Sequence, residues 1–273
     1  MITLSEINNE KNKALLDIES LHMRFQGLSA LDDVSFTAQA GEITSLIGPN
    51  GAGKTTLFNC VTGMYRPTAG KVIFNGADIT AKPAHQVSRH GVARTFQNLA
   101  LFGGLSVMDN LLVGAYRQGS SGLLQGAVTS GRARAEQRAA FAAATEVLEF
   151  LGMPDIADAL PGELPYGRQK QVEFARALMQ KARLVLLDEP MAGMSSAEKS
   201  AMTELIMRVR AQFGVSFLIV EHDIPVIMDI SDKIVVLDFG RKIAEGTPRE
   251  VQANPTVITA YLGTEHNAAA EVA

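Results

Sequence analysis

The sequence predicts an α/β fold built around a mainly parallel sheet, and three observations carry that prediction. Four apolar runs, Ile43–Ile47, Leu184–Leu187, Ser216–Val220 and Ile234–Leu237, have strand length without strict alternation, as strands covered on both faces do. Between them lie segments of helical spacing, such as Phe141, Leu148 and Leu151, and Val172, Ala175 and Leu178. Strands alternating with helices favour parallel pairing, because each parallel neighbour needs a crossover.

Two other textures surround this core. Residues 15–40 and 70–79 read as short strands with Gly41, Gly70 and Gly76 as turn markers, so a small antiparallel sheet is expected to flank the core. From about residue 98 to 182 the pattern is largely helical, broken at Gly103–Gly104 and Gly119–Gly122, and reads as an inserted helical lobe. The expectation is one domain over residues 15–263, followed by a flexible tail at 264–273.

Composition narrows the partners. Hydrophobic residues make up 47% and charged residues 20% of the 273, which suits a globular chain rather than a disordered one. A net charge of −4 without a basic stripe gives no reason to expect nucleic acid or anionic lipid. The single cysteine, Cys60, excludes a disulfide framework within the chain and fits a reducing compartment. It falls in an apolar helical stretch and is expected in the core. The N-terminal stretch lacks the basic and apolar regions of a secretory signal. No apolar run approaches the roughly 18 to 20 residues of a spanning helix, so work at a membrane would require a partner there.

The strongest chemical signal is Gly48-Pro49-Asn50-Gly51-Ala52-Gly53-Lys54-Thr55, which fits G-x-x-x-x-G-K-[ST]. Glycines let successive N–H groups turn inward and nest phosphate oxygens. A helix starting at Lys54, with Thr56 in its first turn, adds its positive end. Lys54 places a charge on the β- and γ-phosphates, and the Thr55 hydroxyl suits Mg²⁺. The pattern follows one apolar run and precedes Leu57, Val61 and Met64 at helical spacing, the context it requires. These features predict a P-loop NTPase core that binds ATP with Mg²⁺.

Downstream, Leu184–Leu187 ends in Asp188-Glu189-Pro190. Two carboxylates at the end of an apolar strand are costly without a cation or a reaction to serve. Asp188 suits the Mg²⁺ shell, directly or through water, and Glu189 suits a general base that orients the attacking water. Gln97 follows the run Val92–Phe96, and Glu221-His222 follows Ser216–Val220. Groups just past the carboxyl ends of parallel strands converge on one edge, so all of these are expected in one site.

Together these residues resemble the nucleotide-binding subunit of ATP-binding cassette (ABC) transporters, over roughly residues 17–263. Gly48–Thr55 resembles the family's Walker A loop, Leu184–Glu189 its Walker B strand, Gln97 its Q-loop and His222 its switch histidine. The resemblance implies Gln97, Glu189 and His222 in catalysis, and Thr55, Gln97 and Asp188 around the metal. It implies that Phe25 stacks on adenine, although an aromatic there serves edge packing equally well. It further implies two nucleotide domains closing head to tail around two ATP molecules, each ATP facing the opposite subunit's signature sequence.

That signature, L-S-G-G-Q in the family, stands here as Leu164-Pro165-Tyr166-Gly167-Arg168. The serine hydroxyl and the glutamine are missing, but Gly167 and the helix N-terminus remain to hold a γ-phosphate. Arg168 either adds charge or is solvated. Ser195 replaces the acid expected after Ala192-Gly193-Met194. These departures, the run Val220–Asp223 and the ending Gly246-Thr247-Pro248…Asn254-Pro255…Ala260-Tyr261-Leu262-Gly263 resemble the branched-chain amino acid importer branch. The branch implies a second ATPase subunit, identical or related, at the cytoplasmic face of the inner membrane. Two permease subunits and a periplasmic binding protein complete it. Urea or amide importers and the lipopolysaccharide export ATPase are similar alternatives; a soluble ABC ATPase is a further one.

Overall fold

The computed structural model describes residues 13–95, 99–115 and 131–261. Its central sheet has six strands in the order β10-β9-β3-β8-β7-β6. These are β3 (Ile43–Ile47), β6 (Val92–Arg94), β7 (Leu184–Asp188), β8 (Ser216–Val220), β9 (Lys233–Asp238) and β10 (Arg241–Gly246). Neighbours from β9 to β6 pair in parallel, and β10 returns antiparallel on β9. The four apolar runs are therefore strands of one parallel sheet.

Alternation along those strands explains why the runs carry no polar period. Leu184, Leu186, Leu218, Val220, Val235 and Leu237 enter one hydrophobic cluster, while Val185, Leu187, Phe217, Ile219, Ile234 and Val236 enter another. Both faces are covered, so each position excludes water. The first cluster also takes in the four-stranded antiparallel sheet β2-β1-β4-β5 and the helix α1 (Lys54–Val61). The second is covered by the helices α3 (Val107–Ala115), α4 (Gly131–Phe150), α5 (Tyr166–Leu178), α6 (Ser196–Phe213) and α7 (Ile224–Ile230).

The antiparallel sheet departs from the expectation in detail. Residues 15–40 form two long strands, β1 (Ala14–Phe25) and β2 (Leu28–Gln39), joined at Gln26–Gly27. Gly41 and Gly76 mark turns, but Gly70 lies inside β4 (Ala69–Phe74), which pairs with β5 (Ala77–Asp78). It sits at φ +85° where the β1–β4 register shifts, and a Cβ there would lie 2.1 Å from the Ser20 carbonyl oxygen. The glycine serves a bulge, not a turn.

Two helical readings also shift. Met64 lies beyond α1 and is 53% exposed, and Phe141 faces out from α4 at 51%. Leu148, Leu151, Val172 and Ala175 are buried as their spacing predicts. A short helix α2 (Ala84–Arg89) and the final helices, α8 (Pro248–Gln252) and residues 255–261, follow turn-like sequence and were not readable from periodicity. Residues 264–273 and Gly119–Gly122 lie outside the described residues. Among the described residues no helix is long and apolar enough to cross a membrane.

Cys60 is 1% exposed on α1, and burial pushes its thiol up to about 12. It stays the neutral thiol in mildly alkaline solution, where a free cysteine gives appreciable thiolate. Iodoacetamide should therefore label it only after denaturant unfolds the chain. Labelling of native protein at the rate of a free thiol would place Cys60 outside the core.

Candidate active site

The phosphate loop leaves the end of β3 and enters α1 at Lys54, as the motif predicts. Gly48 is buried at φ +150°, and a Cβ on it would lie 2.1 Å from the Leu237 carbonyl oxygen, so β9 leaves no room for a side chain. Gly53 is the N-cap of α1 at φ +100°. Among the described residues no protein acceptor takes the N–H groups of Gly53, Lys54, Thr55 or Thr56. These are the orphan donors of a helix N-terminus, aimed where an anion fits. Pro49, Asn50, Gly51 and Ala52 complete the turn, with Ala52 accepting from Gly240 N–H at 3.1 Å.

Lys54 is 7% exposed, and its ammonium donates to the carbonyls of Gly48 at 2.7 Å and Pro49 at 2.9 Å. Desolvation holds it below the usual lysine range, while Glu189 and Asp188 pull the other way. A phosphate would replace two neutral acceptors with full negative charge.

The parallel order aligns the carboxyl ends of β3, β8 and β7, so the loop, Glu221-His222 and Asp188-Glu189 meet at one edge. Glu189 stands at φ +48°, an uncommon conformation for a residue other than glycine. Its N–H donates to the Val220 carbonyl at 2.8 Å, and its Oε1 lies 2.9 Å from His222 Nε2. The strained backbone thus turns one acid away from its strand and toward the histidine.

Asp188 goes elsewhere. It is 4% exposed, and its Oδ2 accepts from Arg94 Nη2 at 2.7 Å. Arg94 ends β6, and its Nη1 donates to Asn59 Oδ1 on α1 at 2.6 Å. The sequence reading missed this arginine. Its signal was the strand run Val92–Phe96, of which only the following residue, Gln97, was read as functional. Gln97 itself lies outside the described residues.

Three further residues were overlooked as supports. Glu221 is 4% exposed and accepts from the N–H groups of Met191 at 2.7 Å and His222 at 3.0 Å, tying the loops after β7 and β8 together. Asp223 caps α7 and pairs with Lys199 of α6 at 2.6 Å. That bond holds the Asp223 carboxyl below, and the Lys199 ammonium above, their ordinary ranges. Tyr261 packs its phenol on the phosphate loop. Burial pushes the hydroxyl up to about 12, against the opposing effect of a hydrogen bond from Gly48 N–H.

The remaining predicted residues do not join this group. Phe25 is 38% exposed and meets Tyr65, which follows α1, edge-on at 5.3 Å between centroids. Leu164 and Pro165 lead into α5, which Tyr166, Gly167 and Arg168 begin, and among the described residues no hydrogen bond or ion pair joins them to residues 48–56. Gly167 N–H already donates to the Glu198 carboxylate, so one donor of that helix end has a protein partner. Arg168 is exposed and reaches Gln171 at 3.4 Å. Ser195 caps α6, with its N–H and hydroxyl on Glu198 at 2.9 and 2.7 Å, so the residue in place of an acid serves a capping box.

Fold and loop together define a P-loop nucleotide-binding domain. The family model described as "ABC transporter" matches residues 31–192, and one described as "Branched-chain amino acid ATP-binding cassette transporter" matches residues 241–267. The high-affinity branched-chain amino acid transport ATP-binding proteins BraF of Pseudomonas aeruginosa and LivG of Escherichia coli K12 are each 40% identical over 252 residues, covering 92% of this chain and 99% of their own. The crystal structure of an ABC transporter's ATP-binding cassette in its ADP conformation superposes with a TM-score of 0.81 at 33% identity, covering 92% of this chain and all of that one. A dimeric bacterial ABC transporter cassette, at 22% identity and a TM-score of 0.73 over 86% of this chain and 99% of its own, is alike in fold alone. The chain belongs to the ABC transporter family, among the branched-chain amino acid transport ATP-binding proteins, and is an ATPase.

The Glu221 contacts predict a measurable coupling. Glu221→Ala leaves two N–H groups without their carboxylate, which should cost about 1–3 kcal/mol in denaturant unfolding. ATP turnover should fall further than nucleotide affinity, because the loops carrying Glu189 and His222 lose their tie. Unchanged stability and turnover would show that the carboxylate does not hold them.

Proposed function

We propose that this chain hydrolyses ATP to drive an importer for branched-chain or other hydrophobic amino acids. The hydrogen bond between Glu189 and His222, at the edge where the phosphate loop ends, carries the reading. The names of the relatives support the cargo class.

In this reading the amides of residues 51–56 and the Lys54 ammonium cradle the phosphate tail. Thr55 and Asp188 are oxygen ligands suited to Mg²⁺, with Gln97 as the third member, and they fit a hard cation carried in on phosphate. When bound, Mg²⁺ would supply charge neutralisation to the phosphate tail. Glu189 orients the attacking water and takes its proton, and His222, 2.9 Å away, fixes that carboxylate. Phe25 offers an exposed ring to adenine.

Residues 164–168 face the ATP of a second subunit, identical or related, through the donors of the α5 N-terminus other than Gly167. Residues 15–263 form the single nucleotide domain, with 98–182 as its helical lobe. The pair sits peripherally at the cytoplasmic face of the inner membrane, beneath two permease subunits fed by a periplasmic binding protein.

Glu189→Gln keeps the shape of the side chain but not its basicity. It should bind ATP as the wild type does and lose turnover by about 10²-fold or more. Hydrolysis at the wild-type rate would remove Glu189 from the role of base.

Purification of the chain from membranes, with identification of its companions, tests the assignment to a transporter. Two permeases and a hydrophobic amino acid binding protein are expected. A urea or amide importer's subunits, lipopolysaccharide export components or no membrane protein at all would each overturn the proposed cargo.

A further inference from the structure

The ion pair between Arg94 and Asp188 is buried on both sides, with side chains 8% and 6% exposed and 2.7 Å between Nη2 and Oδ2. Such a pair is costly to desolvate, and its retention needs a reason beyond stability. The surroundings give one. The guanidinium is fixed from three directions: by Asp188 on β7, by Asn59 Oδ1 at 2.6 Å on α1, and by the Phe58 ring 5.5 Å from its carbon. The other cation nearby, Lys54, is turned onto the carbonyls of Gly48 and Pro49. The positive charge in contact with Asp188 is therefore arginine.

We propose that Arg94 is a positioning residue whose guanidinium competes electrostatically with the divalent cation for Asp188, and so sets how strongly nucleotide binding depends on Mg²⁺. This rests on the reading of Asp188 as a magnesium ligand. With no metal bound, the arginine neutralises and aims the carboxylate, so the site is formed in advance and a free nucleotide anion meets an added positive charge. With the metal held on Asp188, the same charge, in contact with that carboxylate, would oppose the dication. Removing the charge should weaken binding of metal-free nucleotide and strengthen the contribution of Mg²⁺. A merely structural pair would lower both affinities together.

The test uses the full chain and a fluorescent, non-hydrolysable ATP analogue, titrated once with Mg²⁺ and once with EDTA. The quantity read is the ratio of the two dissociation constants, metal-free over metal-bound. Arg94→Gln keeps an amide donor without the charge, and its ratio should rise at least about ten-fold, the scale of one charge beside a divalent ion even at the dielectric of water. Arg94→Lys keeps the charge and should stay near the wild-type ratio. An unchanged ratio in Arg94→Gln, or a rise in Arg94→Lys equal to that in Arg94→Gln, overturns the proposal. Thermal melting checks folding, and Arg94→Met serves as the neutral variant if the glutamine variant does not fold. Asp188→Asn separates the two ideas: a wild-type ratio in that variant overturns Asp188 as the metal ligand, whatever arginine does.

Discussion

Everything at the active edge depends on the parallel alignment of β3, β8 and β7. Because these strands run the same way, their carboxyl ends stop at one level, and three distant stretches of chain emerge side by side. The strands are hydrophobic on both faces, so the polar groups they deliver appear only where the sheet ends. An apolar layer thus presents Lys54, Asp188 and Glu189 together, with Arg94 in contact with Asp188, His222 with Glu189, and both acids acting on the Lys54 charge from a distance.

Three further carboxylates tie segments of this chain together. Glu221 holds the loops after β7 and β8, Asp223 ties α7 to α6 through Lys199, and Glu198 closes the cap of α6 while accepting from Gly167. The last contact joins the start of α5 to the start of α6. The signature segment and the loop after β7 are therefore linked within one subunit.

The sequence was most legible where one motif fixes both backbone and chemistry. Residues 48–55 announce strand, loop and helix at once, and the four apolar runs give the sheet. Arg94 was illegible because an arginine at a strand end is ordinarily solvated; only the fold shows that β6 lies beside β7 and points it inward. Gly70 misled for a similar reason, since a bulge and a turn ask the same of a glycine. Ser195 looked like a lost acid, and only the capping box on Glu198 reveals what the hydroxyl does. Met64 and Phe141 fell on the apolar period but beyond the surfaces that bury it.

The phosphate loop is closed from behind by residues far along the chain. Gly240 bonds to Ala52, Leu237 packs over Gly48, and the Tyr261 phenol accepts from Gly48 N–H. During synthesis the loop emerges from the ribosome well before the residues that back it. A nascent chain therefore carries the nucleotide motif long before it has the walls that shape it, and its competence to hold ATP should be acquired only once residues 237–261 have emerged.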